Sequence, residues 1–270
     1  MMKMSFFAFS DIHGNRELFD KVMAYIAEQK GPRMIYFLGD AIDRGVDGYA
    51  IMNELLNDPR VTYIMGNHEN MFLNACNDII AAAYEEGLSA HEMIQANGGE
   101  WMFFSPATRL YFCNGGEPTF NAWVKAGCPT SIVNKIRKLP MRSTLQILNE
   151  DGYIKHTIDM CHAGCTSLQW EENDFQRMLW SREHFDTPWN CFGVMDSKHI
   201  LVHGHTPIEY VCKKMRWFDC KGGNINYEHD ITQPLVYAGG TKIDIDTGTY
   251  KTNAINVLNL DTLESVQFKS

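Results

Sequence analysis

Residues 5–15 of the chain, SFFAFSDIHGN, run from a short apolar segment straight into two metal-ligand-type side chains, Asp11 and His13. The apolar part, residues 5–10, has the length and composition of a buried β-strand. Gly14 allows the chain to bend after that strand, and Asn15 is a residue type that caps helices. The segment therefore predicts a strand, a loop that carries polar ligands, and then a helix.

The same arrangement recurs twice within the next 60 residues. The apolar run 34–38 is followed by Gly39-Asp40-Ala41-Ile42-Asp43-Arg44-Gly45, and the run 61–65 is followed by Gly66-Asn67-His68-Glu69. Helices are expected at 48–56 and from about Glu69 onwards. Three consecutive strand–loop–helix units indicate an α/β sheet with its motifs at the carboxyl edge, where such sheets bind ligands.

The remainder of the chain predicts a single domain over residues 1–270. Residues 84–140 mix a helical pattern at 132–139 with loops rich in Gly, Asn and Pro, and we expect a partly helical insertion that covers one side of the site. Residues 141–148 and 153–161 flank Glu150-Asp151-Gly152, a hairpin pattern. Further strands are expected at 198–202, 207–212, 235–237, 241–245 and 254–260. Two sheets packed face to face fit this order of elements best.

Composition excludes several classes of function. Hydrophobic residues make up 45% and charged residues 21%, as in ordinary soluble enzymes, and the net charge is −9. An acidic chain lacks the positive field that non-specific nucleic-acid binding needs, so a phosphate site must come from a few local cations. The eight cysteines include no C-x-x-C pair, which favours free thiols. With no membrane-length apolar run and no signal-like start, we expect a cytoplasmic protein without membrane partners.

Side chains of metal-ligand type recur along the chain at predicted strand ends. They are Asp11, His13, Asp40, Asn67, His162, His203 and His205. Any one motif could be an ordinary turn or helix cap, but independent turns would not supply ligands at three successive strand ends. We predict two divalent ions about 3.5–4 Å apart that share Asp40 and a bridging water. The resulting hydroxide would attack phosphorus in line.

Other residues in these motifs fit roles beside the metals. His68 can protonate the leaving alkoxide as a general acid, with Asp43 as the partner that orients its imidazole. Arg44 and Arg182 can grip the phosphate oxygens. For Arg182, the sequence alone favours a solvated surface arginine.

Taken together, these motifs resemble one protein family. Asp-x-His-Gly, Gly-Asp-x-x-Asp-Arg-Gly, Gly-Asn-His-Glu, a later His and Gly-His-Thr are similar to the phosphoprotein phosphatase branch of the calcineurin-like metallophosphoesterases, above all to the compact bacterial and phage (bacteriophage lambda type) Ser/Thr protein phosphatases. The resemblance runs from Phe7 to about Leu260. It extends to residues 97–101, 180–183 and 245–248.

The resemblance implies a ligand for each position. One ion would bind Asp11, His13 and Asp40, and the other Asp40, Asn67, His162 and His205. It also implies His68 as general acid with Asp43, and phosphate contacts from Arg44, Arg182 and Asn67. The implied ions are two divalent metals, Mn²⁺ first, with Fe or Zn²⁺ as alternatives. The implied fold is a β-sandwich of two mixed sheets flanked by helices (α/β/β/α).

Two positions depart from the family pattern. Ser10 stands where a Gly is usual before Asp11. His203 precedes Gly204-His205, and we interpret it as supporting the site or the fold rather than as a ligand. Pro207 takes the place of the second histidine of the phosphodiesterase and nuclease branches, which disfavours them.

Three functions from two classes follow from these residues. The leading one is a metal-dependent phosphomonoester hydrolase, a Ser/Thr protein phosphatase whose partner is a phosphorylated protein or peptide. The second is a diadenosine tetraphosphate hydrolase acting on a nucleoside polyphosphate with the same core. The third is a phosphopeptide-binding module without turnover, which the intact acid pair disfavours.

Overall fold

The apolar runs before the first three motifs form neighbouring strands of one sheet. We describe a computed structural model in which residues 4–98, 105–165, 174–183, 199–215 and 229–270 are placed. Strands β1 (Ser5–Phe9), β2 (Arg33–Phe37) and β3 (Val61–Tyr63) pair in parallel, so their carboxyl ends meet at one edge. Strands β9 (Ala254–Asn259) and β10 (Ser265–Lys269) extend the sheet antiparallel, in the order β10-β9-β1-β2-β3.

The later strands form a second mixed sheet in the order β4-β5-β6-β8-β7. Strands β4 (Arg142–Leu148) and β5 (Ile154–Cys161) make the predicted antiparallel hairpin. Strand β6 (His199–His203) runs parallel to β5 and to β8 (Lys242–Asp244), and β7 (Leu235–Tyr237) closes the sheet. The sheet therefore has a parallel centre whose carboxyl ends precede His162 and His205.

Helices connect and cover the sheets. In the first half they are α1 (Arg16–Glu28), α2 (Gly48–Leu55), α3 (Asn67–Glu85), α4 (Ala90–Ala96), α5 (Pro106–Cys113), α6 (Glu117–Lys125) and α7 (Thr130–Ile136). Among the described residues of the second half they are α8 (Phe175–Trp180), α9 (Ile208–Met215) and α10 (Thr249–Thr252). Asn15 caps α1 as predicted, since its side chain accepts a hydrogen bond from the Leu18 amide.

Alternation along the strands divides the core into layers. Phe7 and Phe9 of β1 face the helices, whereas Ala8 between them faces the second sheet. The contact between the sheets is closed by buried aliphatic residues such as Ile158 and Val202. A small cluster that contains Ile208 and Leu235 covers the outer face of the second sheet. The predicted sandwich of two mixed sheets flanked by helices is therefore confirmed.

One predicted strand is wrong. Residues 207–212 form the start of α9 instead. Ile208 and Val211 are buried three residues apart, whereas Tyr210 between them is 47% exposed, which is helical rather than strand spacing. The signals were present, because Pro207 stands at the helix start and Glu209 pairs with Lys213 one turn later.

The region 84–140 is more helical than its sequence indicated. Its described residues contain helices α4 to α7, of which the sequence indicated only the last, as a helical pattern at 132–139. That this region is an insertion in a single domain stays a prediction. Gly99 and Trp101 of the family-like segment lie outside the described residues. Among the described residues, no helix has the length and apolar character needed to cross a bilayer.

Candidate metal centre and acid pair

Loops at the carboxyl ends of both sheets converge on one site. Asp11 and His13 follow β1, Asp40 follows β2, and Asn67 opens α3 directly after β3. His162 follows β5 and His205 follows β6 from the other sheet. Left-handed backbone is concentrated here, at Asp11, His13, Asp40, Asp43, Arg44 and His205, with φ between 44° and 71°. Non-glycine residues seldom adopt this conformation, and clusters of it mark functional sites.

Asp40 lies between two groups of potential metal donors. Its Oδ2 is 3.7 Å from His13 Nε2 and 3.8 Å from His68 Nε2. Its Oδ1 is 3.4 Å from His162 Nε2 on the other side. Within the described part of the chain, the side chains that gather as possible metal ligands are His13–Asp40–His68 and Asp40–His162–His205. A carboxylate with one oxygen towards each group is the arrangement that can bridge two ions.

Asn67 belongs to the second group. Its Oδ1 lies 2.8 Å from His162 Nε2 and 2.9 Å from His205 Nδ1. The oxygen of the amide thus points at the two histidines rather than into solvent, and Asn67 is 3% exposed. Four of the predicted ligands of one ion, Asp40, Asn67, His162 and His205, are therefore together.

Asp11 stands beside the first group rather than inside it. Its Oδ2 accepts hydrogen bonds from the Ser10 hydroxyl and from the His205 amide, the latter at 3.1 Å. Gly204 passes so close that a side chain there would collide with this oxygen. Its role as a ligand remains a prediction.

The histidines present unprotonated nitrogens to the site. His162 Nδ1 donates to the Leu38 carbonyl at 2.7 Å, and His13 Nδ1 donates to the Ile42 carbonyl at 2.9 Å. In each neutral ring, Nε2 is therefore the nitrogen whose lone pair is available to a metal. Burial lowers the pKa of His162 to about 3, and burial with the charges of His68 and Arg44 lowers the pKa of His13. Neutral imidazole is the form that binds metals.

The carboxylates of Asp11, Asp40 and Asp246 are buried in surroundings that disfavour their charged forms. Burial, with the neighbouring Glu69 and Asp11, raises the pKa of Asp40 well above its usual range. Burial and Asp246 do the same to the pKa of Asp11, and burial raises that of Asp246 to about 6. Divalent cations would offset this repulsion, and the oxygen and imidazole donors are those that Mn²⁺, Fe and Zn²⁺ accept. The residues present therefore fit the implied ions.

His68 and Asp43 form the predicted pair next to the donor groups. His68 Nδ1 is 2.7 Å from Asp43 Oδ2, and both side chains are almost fully buried. The ring of His68 meets that of His13 edge-on, with centroids 4.8 Å apart. This geometry directs His68 Nε2 towards the metal donors, where a substrate phosphate would lie.

The two arginines differ in how they are held. Arg44 places its guanidinium 4.0 Å from the centroid of the Tyr250 ring, and its Nη1 and Nη2 lie 2.9 Å and 3.3 Å from the Nε2 atoms of His13 and His68. Arg182 is half-buried, lies 5.7 Å from the Tyr210 ring centroid, and acts electrostatically on His162 and Asp246. Its charge therefore reaches the site.

His203 lies outside both donor groups. Its Nε2 is 2.8 Å from the Tyr237 hydroxyl and its Nδ1 is 4.0 Å from Asp244. Burial lowers its pKa to about 3, so it is neutral at physiological pH. The geometry agrees with a supporting role rather than ligation.

With this geometry established, the sequence matches a known family over most of its length. The family model described as "Calcineurin-like phosphoesterase" matches residues 4–243. The chain belongs to the calcineurin-like phosphoesterase family. Members of this family are metal-dependent, which agrees with the donor groups around Asp40.

Among curated proteins, the chain resembles two bacterial phosphatases. It is 24% identical over 199 residues to "Serine/threonine-protein phosphatase 1" of Salmonella typhimurium strain LT2, covering 73% of this chain and 76% of that protein. It is 33% identical over 93 residues to "Serine/threonine-protein phosphatase 2" of Escherichia coli K12, covering 34% of this chain and 38% of that protein. The chain thus matches well under half of the second relative's length.

Among solved structures, a "putative diadenosine tetraphosphatase" superposes with a TM-score of 0.55 and 13% identity. The superposition covers 98% of this chain and 92% of the other. At this identity it supports the fold alone. The match to the family model and the superposition on the solved structure together confirm the fold that the motifs predicted.

Sequence reasoning missed several residues that shape the site. Glu69 was given no role beyond the start of a helix, yet its carboxylate accepts hydrogen bonds from the Asp40, Ala41 and Gly66 amides at 2.8, 2.8 and 3.0 Å. Tyr111 reaches Asp43 from α5, and Tyr250 supports Arg44 from α10. The Gly-Asn-His-Glu spacing was a signal that could have identified Glu69. No local pattern in the sequence indicated the two tyrosines.

Proposed function

We propose that this phosphoesterase is a metal-dependent phosphomonoester hydrolase that acts on phosphoserine or phosphothreonine in proteins or peptides. One observation carries the proposal: the Asp40 carboxylate faces two donor groups, directly beside the His68–Asp43 pair. Phosphomonoester cleavage needs a nucleophile, charge neutralisation and an acid for the leaving group. This site has residues suited to each of the three.

Two ions would be held by the residues predicted from the sequence. Asp11, His13 and Asp40 would hold one, and Asp40, Asn67, His162 and His205 the other. When bound, the ions would lower the pKa of a water molecule towards neutrality and neutralise phosphate charge. Mn²⁺ is our first expectation, with Fe or Zn²⁺ as alternatives.

Arg44 and Arg182 would bind the terminal phosphate together with Asn67. Guanidinium groups suit the oxygens of a dianionic monoester because they donate two parallel hydrogen bonds. The ring of Tyr250, 4.0 Å from the Arg44 guanidinium carbon, would help to hold this group in place before substrate arrives. Since the chain carries a net charge of −9, these local cations have to supply the attraction for an anionic substrate.

His68 would protonate the oxygen that leaves. A serine or threonine alkoxide is a poor leaving group, so a proton delivered at Nε2 lowers the barrier to its departure. Asp43 holds Nδ1 at 2.7 Å and stabilises the imidazolium from which the proton is given. The proton then resides on the product alcohol.

The names of the curated relatives support a Ser/Thr phosphoprotein as substrate. The name of the structural neighbour keeps diadenosine tetraphosphate, a nucleoside polyphosphate, as the second candidate substrate. A phosphopeptide-binding role without turnover is the third and weakest candidate. We also propose a cytoplasmic location, because the described cysteines are free thiols.

The experiment is phosphate release by metal-stripped protein to which Mn²⁺ is restored. A phosphoserine peptide, a phosphodiester and diadenosine tetraphosphate are compared in parallel, with His68→Asn as the acid-deficient control. We expect peptide hydrolysis that requires Mn²⁺ and falls by about 100-fold in His68→Asn.

Other outcomes would replace the proposal. Faster turnover of diadenosine tetraphosphate than of the peptide would favour the polyphosphate hydrolase, and preference for the diester would favour a phosphodiesterase. Binding of the peptide without phosphate release, at full metal loading, would indicate the binding module.

A further inference from the structure

The hydroxyl of Tyr111 completes the acid pair. Tyr111 lies in α5, within the region 84–140, and is fully buried. Its hydroxyl donates to Asp43 Oδ1 at 2.9 Å, while the other carboxylate oxygen of Asp43 is 2.7 Å from His68 Nδ1. Each carboxylate oxygen of Asp43 therefore has its own partner, Tyr111 at Oδ1 and His68 at Oδ2.

Thr119 of α6 holds the backbone of the same residue. The Asp43 amide donates to Thr119 Oγ1 at 2.9 Å, and Thr119 is fully buried. A carboxylate accepts hydrogen bonds, so the Tyr111 hydroxyl is the donor in its contact with Asp43. Asp43 is therefore held at its amide by α6 and at its carboxylate by α5.

The neighbouring backbone needs this support. Asp43 and Arg44 are consecutive non-glycine residues in the left-handed region, with φ of 71° and 66°. The Arg44 amide donates to the Gly115 carbonyl at 2.9 Å, so the loop between α5 and α6 holds the second strained residue as well. The region 84–140 therefore fixes both residues of the Asp43-Arg44 pair.

The Tyr111 ring is packed against its neighbours. Gly116 lies against the ring so closely that a Cβ at this residue would collide with it. On the other sides the ring contacts Phe72 and Phe112, at centroid distances of 5.8 and 5.2 Å. Burial and the adjacent Asp43 raise the pKa of Tyr111, so it stays protonated and remains a donor.

We propose that Tyr111 is a positioning residue for the general acid His68, acting through Asp43. This inference rests on the proposed function, in which His68 protonates the leaving group. By holding the Asp43 carboxylate in line with Nδ1, Tyr111 sets the direction of Nε2 towards the leaving oxygen. No bond to phosphorus involves Tyr111, and its own proton is not transferred.

A role in positioning the acid has a characteristic dependence on the leaving group. A phosphoserine peptide releases an alkoxide that needs the proton, whereas p-nitrophenyl phosphate releases a stable phenolate that scarcely needs it. Tyr111→Phe removes one oxygen and keeps the ring. We expect kcat for the peptide to fall about tenfold and kcat for p-nitrophenyl phosphate to fall less than about threefold, with Mn²⁺ loading unchanged.

Two controls separate this effect from a loss of structure. Tyr36→Phe removes a hydroxyl from a tyrosine that is also buried but lies between the sheets, and should leave both rates unchanged. Thr119→Val removes the side-chain oxygen that accepts from the Asp43 amide and should lower the rate for the peptide selectively, as Tyr111→Phe does. In a His68→Asn background, Tyr111→Phe should add no further loss, because residues that act as a unit are not additive.

The outcomes distinguish this inference from the function on which it rests. Equal losses with both substrates, no loss with the peptide, or a full additional loss in His68→Asn would overturn the role of Tyr111 while leaving the phosphatase intact. A wild-type protein that releases phosphate from neither monoester with Mn²⁺ would overturn the proposed function, and the inference with it.

Discussion

At the scale of single residues, Glu69 links the loops that carry the donors. One carboxylate oxygen accepts the Asp40 and Gly66 amides, and the other accepts the Ala41 amide and the Tyr63 hydroxyl at 2.8 Å. Burial raises its pKa, while these hydrogen bonds oppose the rise. This fully buried carboxylate accepts four hydrogen bonds and so connects the loop after β2 to the start of α3.

Glu69→Gln tests this role. An amide nitrogen at either oxygen position would face at least one backbone N–H, which then loses its acceptor. We expect a loss of about 3 kcal/mol in the free energy of unfolding, measured by urea denaturation. Tyr63→Phe, which removes a single hydrogen bond from the same carboxylate, should cost about 1 kcal/mol. Equal effects of the two substitutions would contradict the account.

The sequence predicted some of the residues that form the site and missed others. Asp40, Asn67 and His162 were found because each follows a recognisable apolar strand, and position along a strand fixes where its end lies. Tyr111 and Tyr250 were missed because their contacts cross between elements far apart in the chain. Periodicity indicates that such a side chain is buried, but not which partner its hydroxyl or ring meets.

At the scale of elements, the junction between β3 and α3 decides where Asn67 and His68 lie. Gly66 is the N-cap residue of α3, and a Cβ there would collide with the Asp40 and Glu69 side chains and lie 2.5 Å from the Asp40 amide. The His68 amide at the helix start donates to Asp40 Oδ1 at 3.0 Å. The close approach of this helix end to the β2 loop thus orients the shared carboxylate.

Gly66→Ala should therefore displace Asp40. We expect at least a tenfold loss in Mn²⁺ affinity, measured by isothermal titration, together with a loss of about 2 kcal/mol in stability. Gly87→Ala is the control, because a Cβ at Gly87 would meet open space, and its φ of 69° strains alanine only locally. It should cost about 1 kcal/mol of stability and leave Mn²⁺ affinity unchanged. Unchanged affinity in Gly66→Ala would contradict this role of the junction.

The prediction of secondary structure failed at residues 207–212, where strand and helix patterns overlap. Residues 207–212 contain enough apolar and β-branched residues for a strand, yet they form a helix that packs Ile208 and Val211 over the second sheet. Local composition did not separate the two, because what decides between them is the surface on which the segment packs. The hairpin at 141–161 was predicted correctly because its turn residues fix the register locally.

At the scale of the whole molecule, the site exists because two sheets place their carboxyl edges together. The first sheet supplies Asp40 and Asn67, and the second supplies His162 and His205. The sequence predicted two packed sheets but not which edges meet, since that depends on long-range packing between strands such as β1 and β6. The donor groups are therefore a property of the complete sandwich.

The measurement that tests the central claim most directly is the electron paramagnetic resonance spectrum of the protein titrated with Mn²⁺. Because Asp40 faces both donor groups, we expect two ions per chain at saturation and a spin-coupled multiline signal from a bridged pair. Asp40→Asn should lose the coupled signal, whereas Tyr36→Phe should retain it. A single isolated Mn²⁺ signal at saturation, or a coupled signal that persists in Asp40→Asn, would contradict the shared centre on which the proposed hydrolase depends.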